Sequence, residues 1–518
     1  MLVCLYLAAV AISGFTILRG VEPFDEGLML QAARRIAGGE LPYRDFSWPY
    51  GPAQPFLLGG SFKAFGVSLL GWRLIRALVD AAVALVVYWV VRREATPRLA
   101  LVAWLTAACA MAQPTSANPF PIALLLGLAA VAAATRAASP RRAVLAAGAL
   151  TALAALWRLD FALYAAGGVS VALALRPAAS AMLRARRVGL YLAVAGAGSL
   201  LLYAPLIVAA GPGHLFNALI TDSLTDAEYW RLPFPLAYHG ELRAWPPRAL
   251  LEDGKDVLGF YVPLLAVAGL VLAAAAAPWR RGGASPQLSG FLVFGGGCLA
   301  YLLSRADEHH APPLLITLSI LLPLSLARTA PGRAAGSRVL DGPGLARLLM
   351  AGVLGLLLLS GLANRLSALV IAREYAPVRA GVADGVRAPL GEAASLSRLV
   401  QVVQGRTRPG EPIYVVSLRS DLVRINNPLI YVLTERNNVT RRDFALQTSE
   451  PAQRAVVGEL RSAPPKVVVR WTDPVSVQRE PNRRGRSSGS RVLDAYLAAD
   501  YRLLERIGRY DVLVPRAP

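Results

Sequence analysis

The amino-acid sequence predicts a polytopic α-helical membrane protein with a small α/β domain at its carboxyl end. Hydrophobic residues make up 55% of the 518 residues, and the mean hydropathy is +0.46. Long apolar runs recur along the first part of the chain, and clusters of arginine separate them. After residue 373 the apolar runs become short, as in small α/β domains. A soluble fold does not accommodate so many long apolar runs.

The long runs define the predicted transmembrane helices. A membrane-spanning helix needs ~20 mostly apolar residues, and the sequence provides about eleven such helices. The predicted spans are residues 1–19, 74–91, 99–113, 119–135, 143–157, 160–175, 188–210, 257–277, 287–303, 312–328 and 344–364.

The arginines predict the orientation of these helices, because cytoplasmic connections of membrane proteins collect basic residues. Every second connection here is basic and contains Arg92, Arg93, Arg98, Arg136, Arg141, Arg142, Arg176, Arg184, Arg186, Arg187, Arg280, Arg281, Arg333 and Arg338, with Glu94 and Asp341 as the acidic exceptions. The amino terminus is therefore predicted to be cytoplasmic. An odd number of spans then places the tail outside.

The predicted domains are a transmembrane domain over residues 1–373 and an extracytoplasmic α/β domain over residues 374–518. The transmembrane domain contains a first outer loop at 20–73 and a long outer loop at 211–256. Because topological anchors account for much of the net charge of +21, we expect no nucleic acid among the partners.

Cysteine and lysine usage indicates the compartment and the source. The three cysteines, Cys4, Cys109 and Cys298, fall inside predicted spans, so the exported parts have no disulfide and no thiolate metal site. The chain is rich in alanine and arginine and has only three lysines, a composition typical of GC-rich bacterial genomes. We therefore expect a multi-pass protein of the bacterial inner (plasma) membrane, in contact with membrane lipids.

The tail has the pattern of strands alternating with helices. Strands are predicted at residues 411–417, 466–471 and 510–514, and helices at 451–462 and 491–499. A basic Gly/Ser-rich stretch at residues 479–489 interrupts this pattern. It is predicted to be a mobile, solvated loop, with binding of anionic lipid headgroups or an anionic glycan as the alternative.

The first outer loop is acidic, aromatic and patterned. Two adjacent carboxylates lie in Val-Glu-Pro-Phe-Asp-Glu-Gly at residues 21–27, and a short helical pattern follows at 28–39. The stretch Leu-Pro-Tyr-Arg-Asp-Phe-Ser-Trp-Pro-Tyr-Gly-Pro at 41–52 comes next, and then a proline-containing apolar segment that ends in Phe-Lys-Ala-Phe-Gly at 62–66. These features predict a structured loop that builds a site.

Together these motifs resemble the C-type (GT-C) integral-membrane glycosyltransferases, and within them the protein mannosyltransferase-like and lipid A aminoarabinose transferase-like branches. The resemblance is strong over residues 1–95. From there to about residue 370 it lies in the topology and not in the sequence, and the tail resembles only in general terms the soluble domain that many such enzymes carry. It implies a sugar donor linked to polyprenyl phosphate. It also implies an acceptor hydroxyl on the outer side, carried by an envelope glycan, a glycolipid or a protein.

Such a transfer requires a general base, because the acceptor oxygen loses its proton as the anomeric carbon gains positive character. Asp25 is the first candidate. Adjacent carboxylates raise each other's pKa, so Glu26, the second candidate, is expected to turn toward an arginine, the acceptor or a metal. The alternative is that Asp25 only caps the helix that follows it.

The phosphate leaving group requires cationic partners. Ser-Arg-Ala-Asp-Glu-His-His at residues 304–310 offers Arg305 to grip the phosphate, His309 or His310 as a donor, and Asp307 to orient one of them. An interfacial loop with ordinary snorkelling charges is the alternative. A zinc site is disfavoured because adjacent histidines point apart and no further nitrogen or sulfur ligand is nearby. No cofactor is predicted, and a divalent cation is left open.

Further candidates lie elsewhere on the predicted outer edge. Arg158 either contacts the phosphate or pairs with Asp160, whereas Arg76 and Asp80 are four residues apart and are expected to form a structural ion pair. Carboxylates and flat rings beside one another are typical of sugar clefts, although interfacial aromatic residues also form anchoring belts. The predicted substrate-binding residues are Tyr43, Asp45, Trp48, Asp222, Asp226 and Trp230.

The predicted function is therefore an inverting membrane glycosyltransferase that uses a polyprenyl-phosphate-linked sugar and an aspartate base. The alternative is a polytopic lipid or glycan transporter or flippase, which would be expected to show ionisable residues near the membrane midplane or repeated halves. A scaffold that displays the tail is a third possibility, but it leaves the acidic first loop unexplained.

Overall fold

The computed structural model describes residues 1–234, 237–276, 285–329, 342–370, 374–422, 425–443 and 448–516. Five residues that entered the orientation prediction, Arg280, Arg281, Arg333, Arg338 and Asp341, lie outside these ranges.

The first part of the chain is helical, and the strands that the structure describes lie in the carboxyl-terminal region. Its helices are α1 (Leu2–Gly14), α2 (Asp25–Ala37), α3 (Ala53–Phe65), α4 (Leu69–Arg92), α5 (Pro97–Met111), α6 (Phe120–Arg136), α7 (Pro140–Trp157), α8 (Leu159–Leu175), α9 (Ala181–Ala210), α10 (Pro212–Phe216), α11 (Asp222–Trp230), α12 (Pro247–Ala276), α13 (Pro286–Ser304), α14 (Pro312–Arg328) and α15 (Gly342–Val370). Each predicted span coincides with one of these helices.

Five of these helices, α4, α9, α12, α13 and α15, are long and apolar enough to cross a membrane. Five shorter apolar helices, α1, α5, α6, α8 and α14, accompany them. The length and composition of the helices are those of a multi-pass membrane protein, whereas the number of about eleven spans stays a prediction.

The helices begin at side chains that satisfy their first backbone N–H groups. Ser68, Thr96, Ser139, Ser180 and Ser285 each accept a hydrogen bond from the backbone N–H three residues later. Small residues then let the helices approach closely: a Cβ on Gly168 of α8 would lie 2.6 Å from the carbonyl oxygen of Gly290 on α13.

The carboxyl-terminal region is an α/β structure, as predicted. Its elements are β1 (Tyr375–Pro377), β2 (Arg387–Pro389), α16 (Leu390–Arg406), β3 (Pro412–Ser417), α17 (Leu429–Thr434), β4 (Asn437–Asn438), α18 (Glu450–Ser462), β5 (Val468–Trp471), α19 (Val492–Asp500), β6 (Tyr501–Ile507) and β7 (Tyr510–Pro515). The main sheet has the order β4-β3-β5-β7-β6, in which β3 pairs in parallel with β4 and β5 and the other pairs are antiparallel.

The predicted strands and helices of the tail are confirmed as β3, β5, β7, α18 and α19. The sequence analysis did not predict α16, although its buried residues Leu396, Leu399, Val400 and Val403 have helical spacing. It also did not predict β6, whose burial does not alternate regularly.

Backbone hydrogen bonds attach this region to the connection between α1 and α4. The N–H of Arg387 donates to the carbonyl of Leu18 at 2.7 Å, and the N–H of Gly20 donates to the carbonyl of Arg387 at 2.8 Å. The N–H of Leu429, at the start of α17, donates to the carbonyl of Pro23 at 3.3 Å. The turn that leads into α2 is therefore held by residues far along the chain.

Helix α2 lies directly on α17. A Cβ on Gly27 would lie 2.2 Å from the backbone nitrogen of Leu429, so only glycine allows this approach. Further along α2, the buried Arg35 forms a 3.1 Å ion pair with the buried Asp443. Both contacts fix the orientation of the helix that begins at Asp25.

Candidate active site

The acid turn, residues 22–26, contains three carboxylates with different environments. Glu22 accepts hydrogen bonds from the N–H groups of Phe24 at 3.0 Å and Glu26 at 2.7 Å. Glu26 is fully buried and forms a bidentate ion pair with the equally buried Arg73, at 2.7 and 2.8 Å. Glu26 therefore turns toward an arginine, one of the three directions expected for it.

Asp25 is the third carboxylate, and its side chain has no hydrogen bond or ion pair within the part of the chain that the structure describes. It is half-buried. The N-cap of α2 is Phe24, without a side-chain capping bond, and Glu22 satisfies two of the first N–H groups. The capping role considered for Asp25 is thus performed by Glu22.

Burial raises the pKa of Asp25, while electrostatic interactions with His310, His309, Arg158 and Arg76 act in the opposite direction. The net shift is upward. The pKa of Glu22 is raised to about 8 by burial and by the charge of Asp25. The acid turn therefore places one unpartnered carboxylate, with increased basicity, among cationic groups from three other parts of the chain.

Arg158 lies at the junction of α7 and α8. Its guanidinium forms a bidentate pair with Asp160 at 3.0 and 2.7 Å and donates to Oδ1 of Asn118 at 3.0 Å. It lies 4.9 Å from the ring centroid of Tyr301 and 5.2 Å from that of Tyr50. The expected pairing with Asp160 is confirmed, and the aromatic faces add cation–π contacts.

Arg76 is the other arginine near Asp25. It forms the expected ion pair with Asp80 at 2.7 Å, and both side chains are buried. Asp80 also accepts a 2.7 Å hydrogen bond from Ser13, and Arg76 donates to the carbonyl of Ser116. The guanidinium also lies 5.7 Å from the ring centroid of Phe120.

The histidine turn, residues 304–310, is organised by Arg305 and Asp307. Arg305 donates to Asp307 at 2.6 Å, to the carbonyl of Trp230 at 3.1 Å, and to both carboxylate oxygens of Glu480 at 2.9 Å. These contacts use four of the five N–H groups of a guanidinium. The structure thus pairs Arg305 with carboxylates and leaves it little capacity for a phosphate.

Asp307 orients the histidine that lies deeper in the turn. Its Oδ1 lies 2.8 Å from Nδ1 of His310 and accepts the backbone N–H groups of His309 and His310 at 3.0 Å. Burial alone would raise the pKa of Asp307, but His310 and Arg305 hold it well below its usual range. The His310 ring packs 5.1 Å from that of Tyr301, whereas the side chain of His309 is 71% exposed.

The predicted substrate-binding residues of the first loop stabilise the loop itself. Tyr43 is buried, has a φ of 68°, and donates to the carbonyl of Tyr50 at 2.5 Å. Trp48 is buried and donates to the carbonyl of Gly51 at 3.0 Å. Asp45 accepts the N–H of Leu41 at 2.8 Å and pairs with the neighbouring Arg44.

The candidates of the long loop are spread along α11. Asp222 is exposed at the start of this helix. The side chain of Asp226 lies outside the described residues. Trp230, at its end, is half-buried, and its carbonyl binds Arg305. Among these three, only Trp230 is connected to the histidine turn by a described contact.

The sequence analysis missed several residues that shape the site. Arg73 pairs with Glu26, 47 residues away in sequence, and Glu480 pairs with Arg305, 175 residues away. Asn118, Tyr50 and Tyr301 surround Arg158. Tyr50 lies in the patterned stretch at residues 41–52, but nothing local in the sequence marks Asn118 or Tyr301. Glu22 lies within the quoted motif, but its reciprocal bonds with Glu26, from Glu26 N–H to Glu22 at 2.7 Å and from Glu22 N–H to Glu26 at 3.3 Å, are seen only in the structure. Among the described residues, no group of three or more His, Cys, Asp or Glu side chains could hold a metal ion.

No protein-family model matches the sequence, and no curated protein matches it significantly. Solved structures do match. ArnT from Cupriavidus metallidurans in the apo state aligns over 99% of this chain and 97% of its own, at a TM-score of 0.57 and 15% identity. The same protein bound to undecaprenyl phosphate aligns over 99% of this chain and 98% of its own, at a TM-score of 0.54 and 16% identity.

The arabinofuranosyltransferase AftD from Mycobacteria, solved by cryo-electron microscopy, is also similar. It aligns over 100% of this chain but 40% of its own length, at a TM-score of 0.51 and 14% identity. The likeness extends through the helices and the carboxyl-terminal region of this chain. The chain therefore has the fold of the GT-C membrane glycosyltransferases.

Proposed function

We propose that this protein is a membrane glycosyltransferase that moves a sugar from a polyprenyl-phosphate-linked donor to an acceptor hydroxyl. The observation that carries the proposal is the unpartnered, half-buried carboxylate of Asp25 beside His310 and Arg158. A base and cations for an anionic leaving group are the two requirements of this reaction. A similar fold that binds undecaprenyl phosphate supports this class of donor.

Asp25 is the general base in this proposal. It removes the proton of the acceptor hydroxyl while the acceptor oxygen forms a bond to the anomeric carbon and the bond from that carbon to the phosphate oxygen breaks. The proton passes to Asp25, and polyprenyl phosphate leaves. A raised pKa suits this role, because a stronger base removes a hydroxyl proton more readily. One displacement at one carbon inverts the configuration.

The phosphate is assigned to Arg158, Arg76 and His310. The ring of Tyr301 lies 4.9 Å from the guanidinium of Arg158 and 5.1 Å from the ring of His310, and all three assigned groups interact electrostatically with Asp25. Each arginine retains N–H groups beyond the bonds described above, and His310 uses Nδ1 for Asp307, so Nε2 is the ring nitrogen left for a ligand. Charge-assisted hydrogen bonds of this kind stabilise the departing phosphate.

Glu26 and Arg305 receive structural roles in place of those first expected. Glu26 holds the acid turn to α4 through Arg73, because a fully buried carboxylate needs its ion-pair partner. Arg305 joins the histidine turn to Trp230 and Glu480. Tyr43 and Trp48 stiffen the first outer loop, which also contains the acid turn, and substrate binding stays a proposal for the exposed Asp222 and for Asp226.

In this proposal the site lies on the outer side of the bacterial inner membrane, with the amino terminus in the cytoplasm and residues 374–518 outside. The basic inner connections support this orientation. An envelope glycan, a glycolipid or a protein is the acceptor class.

The test is a transfer assay with detergent-purified protein and radiolabelled sugars on polyprenyl phosphate. We expect release of free polyprenyl phosphate together with a labelled acceptor when envelope extracts are added. In proteoliposomes, movement of the intact labelled lipid across the membrane without cleavage would instead identify a flippase.

A further inference from the structure

An alternating row of charges connects the carboxyl-terminal region to the candidate active site. Arg484 donates to Glu480 at 2.5 Å, Glu480 pairs with Arg305, Arg305 pairs with Asp307, and Asp307 pairs with His310. Side-chain exposure increases along this row, from 9% at Arg484 to 25% at His310. Because Arg484, Glu480, Arg305 and Asp307 are largely shielded from water, the ion pairs among them are stronger than surface pairs.

Glu480 is held in place by its own loop, which we call the basic loop (residues 479–486). Asn482 donates to the Glu480 carboxylate at 2.9 Å and accepts the N–H of Arg484 at 2.8 Å. The guanidinium of Arg484 also donates to the carbonyl of Val475 at 2.5 Å. The carboxylate is therefore oriented before it meets Arg305. The stretch expected to be a solvated loop makes a specific contact.

On the other side of the contact, Arg305 determines where Asp307 can lie. Asp307 offers one oxygen to Arg305 and the other to His310. Loss of the Glu480 charge would leave Arg305 with Asp307 as its one described anionic partner. We expect the guanidinium then to shift toward Asp307 and to compete with His310 for that carboxylate.

We propose that Glu480 is a positioning residue that acts through Arg305 and Asp307 to hold His310 at the donor phosphate. This inference rests on the proposed function, because it takes the phosphate to lie beside His310. It couples two events, the docking of the basic loop and the binding of the lipid donor. Coupling between two binding events is reciprocal, so the donor must also favour the docked loop.

The reciprocal effect gives a readout that does not depend on sugar transfer. The basic loop contains Arg479, Arg483, Arg484 and Arg486, after which trypsin cleaves. We expect polyprenyl phosphate without a sugar to slow cleavage at these positions in the detergent-purified protein. A short-chain prenyl alcohol, which has the lipid but no phosphate, should give no protection.

The decisive variant is Glu480→Gln, which keeps the size of the side chain and removes its charge. We expect polyprenyl phosphate to bind ~10-fold more weakly, because charge-assisted hydrogen bonds are disturbed. In the transfer assay, KM for the donor should rise by a similar factor with a smaller change in kcat, and protection from trypsin should be lost. Glu480→Asp, which restores the charge on a shorter side chain, should recover part of the affinity.

The matched control is Glu450→Gln, which removes a carboxylate from an exposed ion pair with Arg454 in the same region. It should bind polyprenyl phosphate as the wild type does. Equal binding by Glu480→Gln and Glu450→Gln would overturn the proposal. Tighter binding by Glu480→Gln would also overturn it, since Glu480 would then compete with the phosphate for Arg305.

Failure of the proposed function has a different signature. The wild type could bind polyprenyl phosphate and protect its basic loop from trypsin, and yet transfer no sugar. This result would refute the proposed glycosyltransferase activity while it supports the positioning role of Glu480. A wild type that transfers sugar with no effect of Glu480→Gln on donor affinity would refute the positioning role alone.

Discussion

The acid turn and the histidine turn are both short, highly charged segments at the same site, but they differ in what they leave available. In the acid turn, Glu22 and Glu26 are bonded and Asp25 is unpartnered within the described chain. In the histidine turn, Arg305 is nearly saturated by Asp307, Trp230 and Glu480. Charged residues therefore mark a candidate site, whereas the hydrogen bonds and ion pairs that each residue already forms determine whether it can bind a substrate.

The largest test of this comparison is Asp25→Asn. Removal of a general base lowers rates by ~100- to 10,000-fold, and we expect a loss of kcat in this range. Donor affinity and thermal stability should change little, because Glu22 performs the capping. Transfer of labelled sugar and a melting curve on the same sample check both statements. Asp256→Asn removes an exposed carboxylate and serves as the control, and near-normal transfer by Asp25→Asn would contradict the assignment.

The paired carboxylate of the acid turn should respond in the opposite way. Glu26→Gln leaves Arg73 buried and charged, and breaking such a pair costs ~3–5 kcal/mol. We therefore expect a large fall in thermal stability, with near-normal transfer per folded molecule. Glu252→Gln breaks the exposed pair with Arg248 and should cost less than ~1 kcal/mol. If Glu26→Gln melted like the wild type and lost transfer, Glu26 would be the base.

Glu22 predicts a dependence of stability on pH. Its pKa is raised from 4.5 to about 8 in the folded protein, so the folded state holds a proton that the unfolded state releases in this interval. The contribution of Glu22 to stability is then greatest below pH 4.5 and falls as the pH rises toward 8, by at most ~1.4 kcal/mol per pH unit. Melting temperatures between pH 5 and 8 should decline more steeply for the wild type than for Glu22→Gln, and parallel curves would exclude this account.

The smallest expected effect concerns the contact that orients the acid turn. Gly27→Ala forces a Cβ against the backbone of Leu429 and should cost ~1–3 kcal/mol through overpacking. The expected readouts are a lower melting temperature and a moderate loss of transfer. Gly60→Ala is the control, since nothing lies within 4 Å of a Cβ there. Equal stability of the two variants would show that α2 does not depend on α17.

Much of the fold could be predicted because the determining signals are local. The apolar runs of residues 74–91 and 188–210 are long enough to identify helices by themselves, and Pro412–Ser417 reads as a strand from its β-branched residues. Asp25 could be selected because the motif surrounding it is contiguous. Each of these inferences requires only neighbours in sequence.

The remainder could not be predicted, because it depends on contacts between distant segments. Nothing near Arg305 in the sequence indicates that Glu480, 175 residues later, accepts hydrogen bonds from its guanidinium. Nothing near Glu26 indicates Arg73 as its partner. Tyr43 and Trp48 have the composition of a sugar site, yet their polar atoms bond to the backbone of their own loop. A residue type gives its chemical capacity, and the fold decides how much of that capacity is already used.

The contact between Gly27 and Leu429 also has a consequence for biosynthesis. The two residues are 402 positions apart, and ribosomes add ~5–20 residues per second. The acid turn is therefore synthesised roughly 20–80 seconds before α17 exists to support it. During that interval the nascent chain carries Asp25 without the surface that orients its helix, so a ribosome that stalls before residue 429 leaves a fragment whose acid turn lacks the support of α17.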